Sequence, residues 1–114
     1  MKTNIAELSF DFSLVIINLY RDLIKDKEYV LSKQLLRSAT SIGANIEEAS
    51  AAQSKREFIA KMSIASKEAR ETRYWLKLLD RSKLVSLDYS TYLNQVESII
   101  KVLTKIIKTS QQSI

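Results

Sequence analysis

The stretch Gln34–Leu76, QLLRSATSIGANIEEASAAQSKREFIAKMSIASKEARETRYWL, decides the fold. Its first half puts Leu35, Ala39, Ile42, Ile46 and Ala49 at steps of three and four, the spacing that collects side chains on one helix face. The small residues Ser38, Ala39, Thr40, Ser41, Gly43 and Ala44 allow another helix to approach closely. Ser54 and Glu57 then form a capping-box pattern, in which a hydroxyl and a carboxylate satisfy each other's amides. A second helical pattern follows, with Phe58, Met62, Ala65, Ala69, Thr72, Leu76 and Leu79 spaced 4-3-4-3-4-3. That repeat belongs to a left-handed bundle.

Outward from this block the same periodicity continues. Ile5, Leu8, Phe12, Val15, Ile16, Leu19 and Leu23 give a first helix over about 4–25. The second runs over about 30–51, with Leu31 also on its seam, and the third over about 55–82. Tyr89, Leu93, Val96, Ile100, Leu103 and Ile107 form the seam of a fourth helix over about 87–109, capped by Ser86 or Asp88. The polar tail beyond is expected to fray. Short links between such helices force neighbours to run antiparallel. The expectation is an all-α, up-down-up-down antiparallel four-helix bundle, in one domain spanning residues 1–114.

Composition agrees. Proline is absent, Gly43 is the only glycine, and 46% of the residues are apolar, which suits long helices and excludes disorder. No apolar run reaches the roughly 18 residues of a membrane span, and the segment Met1–Leu8 does not read as a signal peptide, so the expected location is cytoplasmic. With no cysteine and no histidine, the chain lacks disulfides, thiolate ligands and the commonest general base. Glu68 and Glu71 lie one turn apart, as do Asn45 and Glu48 on a polar line with Arg37 and Ser41. A two-metal bundle would require histidines three residues after inward glutamates, and none exist. These acids read as helix-surface groups, so no catalytic residue, metal or cofactor is expected.

Two surfaces exceed what a bundle requires. Projected at about 100° per residue, Phe10, Leu14, Ile17, Tyr20 and Ile24 form a second apolar stripe on the first helix. Ile64, Trp75 and Leu78 lie off the seam of the third. Such groups mark association, with Trp75 as an anchor, unless an asymmetric bundle absorbs them. The second surface is basic. Between Lys55 and Lys83 there are nine Lys or Arg against four acids, net +5, while the remainder of the chain is balanced. Lys55, Arg56, Lys67, Arg70, Arg73, Lys77 and Arg81 fall within an arc of about 120°. Tyr74 lies among them, and Lys101, Lys105 and Lys108 add a shorter line on the fourth helix. A stripe of this kind matches the spaced charge of an RNA or DNA backbone. Its alternatives are a solvated face, or pairing with the acids Glu7, Asp11 and Asp22 of a neighbouring subunit or with a protein partner.

The chain resembles the bacterial 23S rRNA intervening-sequence proteins. The likeness rests on Gln34, Leu35, Arg37 and Ser38, then Ile42, Asn45, Ile46, Glu48 and Ala49, then Ser54, Glu57, Phe58, Ile64 and Ala65. Where relatives often carry glycine after the glutamate, Ala49 and Ser50 stand here. The resemblance implies a homopentameric barrel of four-helix bundles with no established enzymatic activity. It also implies kinship with the basic accessory variability protein of diversity-generating retroelements, which associates with nucleic acid and a reverse transcriptase.

Overall fold

Asn4 opens the first helix, its side-chain oxygen accepting the amides of Ala6 (2.9 Å) and Glu7 (3.3 Å). A computed structural model describes residues 4–113; residues 1–3 and 114, including the start of the segment read as lacking a signal peptide, lie outside it. Among the described residues there are four helices: α1 (Ile5–Lys25), α2 (Leu31–Ser50), α3 (Lys55–Ser82) and α4 (Ser90–Gln112). Each packs on its sequence neighbours, and α1 closes the square on α4 through a thinner contact, with α2 and α3 in the most extensive one. The result is a four-helix bundle measuring 48 × 24 × 22 Å.

Each connection has its own device. At the end of α1 the amide of Glu28 donates to the carbonyl of Leu23 (2.9 Å) and that of Lys27 to Ile24 (3.0 Å). This is a Schellman turn, and it needs a left-handed residue, which here is Lys27 at φ 65°. Glu28 is buried and turns its carboxylate onto the start of α2, accepting the amides of Val30 (3.0 Å), Leu31 (3.0 Å) and Ser32 (2.6 Å). Ser54 Oγ accepts the amide of Glu57 (3.1 Å), but no bond returns from Glu57 to the Ser54 amide, so half of the expected capping box forms.

The fourth helix departs from expectation at both ends. It begins at Ser90, because Asp88 Oδ1 accepts the Ser90 amide (3.0 Å) and hydroxyl (2.7 Å) and marks the start. Tyr89 is therefore a loop residue, yet it is buried, its hydroxyl donating to the Val85 carbonyl at 2.9 Å. The helix also continues to Gln112 instead of fraying near 109. Half-buried Ile106 and Ile107 hold its last turns on the core, and Lys55 Nζ reaches the Ser113 carbonyl (3.4 Å).

The core follows the seams. Phe12, Ile16, Leu19 and Leu23 of α1 meet Leu35, Ile42 and Ile46 of α2, Met62, Leu76 and Leu79 of α3, and Val96, Ile99 and Leu103 of α4. The small residues of α2 serve packing. A Cβ on Gly43 would sit 3.5 Å from Ser9 Oγ and 3.8 Å from Ser13 Oγ, so this is where α1 approaches α2 closely. On the other flank of α2 the buried Thr72 hydroxyl donates to Ser38 Oγ (2.9 Å), and Ser38 donates to the Leu35 carbonyl (3.2 Å).

Candidate nucleic-acid interface

The basic residues of α3 sort by their angle around the helix. With its seam buried, the far side is turned to solvent, and Lys55, Arg56, Lys67, Arg70, Lys77 and Arg81 are all exposed there. At 1.5 Å per residue this line is about 39 Å long, close to one turn of duplex DNA. The flanks behave differently. Arg73 is half-buried on the α4 side and its Nη1 meets Glu97 Oε1 at 2.6 Å. Lys61, which the arc excludes, faces α2 and meets Glu48 Oε1 at 2.6 Å. These are the two ion pairs found among the described residues. The seven predicted site residues thus lie on one helix and mostly on one face, but Arg73 is already engaged.

Lys101, Lys105 and Lys108 are exposed on the adjacent α4. The bundle is therefore polarised across its short axis. Residues 1–54, which supply α1 and α2, hold six bases and seven acids, net −1, whereas residues 55–114 hold twelve bases and six acids, net +6. Tyr74 is exposed within the stripe, its ring edge-on to Trp75 with centroids 5.1 Å apart at 71°.

The second predicted surface is divided. Phe10 and Leu14 remain 64% and 49% exposed, but Ile17, Tyr20 and Ile24 are half-buried. Phe10 lines a groove of about 330 Å³ between α1 and α2, together with Ser13, Gly43, Ala44 and Glu47. Trp75 is half-buried against the core, and its Nε1 donates to Glu71 Oε2 at 3.0 Å. The bundle absorbs part of each extra stripe, and the exposed remainder on α1 centres on Phe10 and Leu14.

The acids of α3 make no site between them. Glu71 holds Trp75, and Glu68 is half-buried with its Oε1 unpartnered. No group of three or more metal-ligating side chains occurs among the described residues, and no described helix is long and apolar enough to cross a membrane.

Residues 1–105 match the family model described as 23S rRNA-intervening sequence protein. The crystal structure of a protein of unknown function from the S23 ribosomal protein family of Bacteroides thetaiotaomicron VPI-5482 is similar at 48% identity. That similarity covers 92% of this chain and 99% of that one, with a TM-score of 0.89. No curated protein matches the sequence.

Proposed function

We propose, for a chain that belongs to the 23S rRNA-intervening sequence protein family, a non-catalytic activity: binding of nucleic-acid backbone, with little sequence preference, along the outer face of α3 and α4. One observation carries this reading. The protein's surplus charge lies on one side of the bundle, with net +6 on residues 55–114 and net −1 on the remainder. A rigid helix that holds Lys55 and Arg56 at one end and Lys67, Arg70, Lys77 and Arg81 along its second half meets phosphates without ordering itself first. Phosphate contacts position a protein but do not read bases. Tyr74, the one exposed tyrosine on this face among the described residues, offers little for stacking, so the recognition is of charge and shape.

The test is binding to unrelated RNA and duplex DNA across a salt series. With about six phosphates neutralised, affinity falls on the order of a thousandfold between about 50 and 200 mM salt. Replacing Lys67, Arg70 and Lys77 by Gln should weaken binding to all sequences alike and make the log–log salt slope shallower by roughly three contacts. Arg73 is left in place because it ties α3 to Glu97 of α4. Absence of wild-type binding at low salt refutes the reading; undiminished binding by the triple variant moves the site off α3.

Self-association completes the proposal. Exposed Phe10 and Leu14 beside the α1–α2 groove support a contact with a second copy. Several copies would gather their basic faces and raise avidity without new contacts. The resemblance suggests five copies. Light scattering should return a mass several times 13.1 kDa, and Phe10→Glu with Leu14→Glu should reduce it without loss of helix. The rival is a scaffold in which the basic face meets Glu7, Asp11 and Asp22 of a neighbour, acids that are exposed on α1 and lack ion pairs among the described residues. In that case the triple Gln variant dissociates the assembly.

A further inference from the structure

Arg73 stands in the middle of the run Lys67, Arg70, Arg73, Lys77 and Arg81, and among the described residues it is the one member of that run held by an acid. Its Nη1 meets Glu97 Oε1 at 2.6 Å. The side chains are 25% and 48% exposed, so the pair lies at the solvent edge of the seam between α3 and α4. Glu97 is the only acid on α4. It sits between the α3 stripe and the line of Lys101, Lys105 and Lys108, the first of which follows it by one turn. Among the described residues Glu97 makes no ion pair with Lys101. Its carboxylate turns across to α3 instead of along its own helix.

We infer that Glu97 withholds Arg73 from the nucleic-acid backbone and so limits the affinity of the basic face. The inference rests on the reading of that face proposed above and names the residue that sets its strength. Arg73 and Glu97 belong to helices packed on each other, so the carboxylate is at bonding distance before any ligand arrives. A phosphate from solution competes with an acceptor that the fold holds at the contact itself. It must also approach beside a negative charge, which opposes it. The withdrawal divides the run. Arg70 and Lys77, both exposed, are left seven residues apart, about 10 Å along the axis, with a neutral pair between them. Deleting one half of an ion pair ordinarily weakens a protein. Here, deleting the acid should strengthen its binding by returning a cation to the middle of the face.

Salt titrations with one duplex DNA of mixed sequence compare the full-length wild type, Glu97→Ala, and Glu97→Ala with Arg73→Gln. Alanine suits an exposed helix position, and circular dichroism with light scattering checks fold and mass. Glu97→Gln, which keeps the shape and loses the charge, is a second variant and should move the same way. One added phosphate contact steepens the log–log salt slope by about 0.9, which is about 3.5-fold in affinity over a fourfold change in salt. Glu97→Ala should bind more tightly at low salt, with the slope steeper by that amount. The double variant, lacking both members, should return to the wild-type slope. Asp26→Asn, exposed in the α1–α2 loop, makes the same change in net charge and should leave the slope as it is. An unchanged slope in Glu97→Ala and Glu97→Gln overturns the inference. A double variant about one contact below wild type also overturns it, because Arg73 would then already touch phosphate with Glu97 in place. Equal steepening by Asp26→Asn does the same, since net charge alone would account for the gain. Absence of wild-type binding at low salt refutes the reading of the face together with this inference, whereas the other three outcomes refute this inference alone.

Discussion

Removing the Glu28 carboxylate should destabilise the bundle although the residue lies in a loop. Glu28 lies outside every helix and no periodicity points to it, yet three amides at the start of α2 converge on its oxygens at 2.6–3.0 Å. One of them, the amide of Ser32, is buried. Losing an ordinary N-terminal cap costs about 0.5–2 kcal/mol, and stranding a buried amide adds about 1–3. Glu28→Ala should therefore cost roughly 2–4 kcal/mol of the 5–15 typical of a domain. Glu28→Gln keeps an acceptor but loses the charge that favours a helix N-terminus, and should cost about half as much. Acid supplies an independent check. Burial pushes the Glu28 carboxyl upward, but the amides of Ser32, Leu31 and Val30 more than offset this and leave its pKa below the ordinary 4.5. The unfolded chain then binds the proton first. The stabilisation is complete above about pH 4.5 and is lost as the pH falls through the lower folded value. Urea titrations followed by circular dichroism, at fixed protein concentration and several pH values, measure both effects. The wild-type advantage over Glu28→Gln should shrink between about pH 5 and 3. A cost for Glu28→Ala under about 0.5 kcal/mol, or parallel acid curves for wild type and Glu28→Gln, would refute the reasoning.

Lys27 is left-handed at φ 65°, so Lys27→Gly should raise stability by roughly 0.5–1 kcal/mol, and Lys27→Val should lower it; a destabilising glycine would mean that the turn is not strained. Tyr89 carries a phenol that burial, then the charges of Asp80 and Glu28, push up from 10 to about 12. The folded chain holds that proton longer than the unfolded one, so stability contributed by the neutral phenol is present below pH 10 and lost as the pH rises beyond it. Tyrosinate absorbance should show a late step that Tyr89→Phe abolishes, and the same variant should cost about 1–3 kcal/mol by stranding the Val85 carbonyl. A titration curve unchanged by Tyr89→Phe would contradict the buried position.

The helices were legible because each carries its own apolar period. Phe12, Ile16, Leu35, Ile42, Leu76 and Leu103 fall on predicted seams and are fully buried or nearly so. The connections were less legible, since their physics is local and not periodic. Tyr89 continues the heptad of α4, yet the Asp88 carboxylate stops the helix one residue short of it. Ile99 is buried without lying on a predicted seam, because a four-sided bundle also covers the shoulders of each stripe, and Val85 is buried in the α3–α4 loop, where no periodicity operates. The same shoulders half-bury Ile17, Tyr20 and Trp75. Of the basic stripe the sequence supplied the angle but not the partners. Glu97 lies 24 residues from Arg73, a separation at which only the packing of α4 on α3 brings them together.

The stripe on α3 also makes a thermodynamic argument for a partner of opposite charge. Lys67 and Arg70, Arg70 and Arg73, Arg73 and Lys77, and Lys77 and Arg81 are spaced three or four residues apart. Like charges at that spacing destabilise a helix by about 0.2–0.5 kcal/mol each, so the two pairs without Arg73 cost roughly 0.4–1 kcal/mol together. Acids that could relieve it exist within the chain, as Glu48 and Glu97 demonstrate on the flanks by pairing with Lys61 and Arg73. Other exposed acids, Glu7, Asp11 and Asp22, sit on α1, diagonally across the bundle and out of reach of α3. Arg73 is thus compensated within the copy, and the repulsion that persists is that between Lys67 and Arg70 and between Lys77 and Arg81. An anion with charges repeated along about 39 Å reaches both Lys55 with Arg56 and the run from Lys67 to Arg81 at once. A neighbouring α1 offers three carboxylates, Glu7, Asp11 and Asp22, against six exposed cations of the stripe. That mismatch in number favours a polyanion over a subunit as the complement of α3.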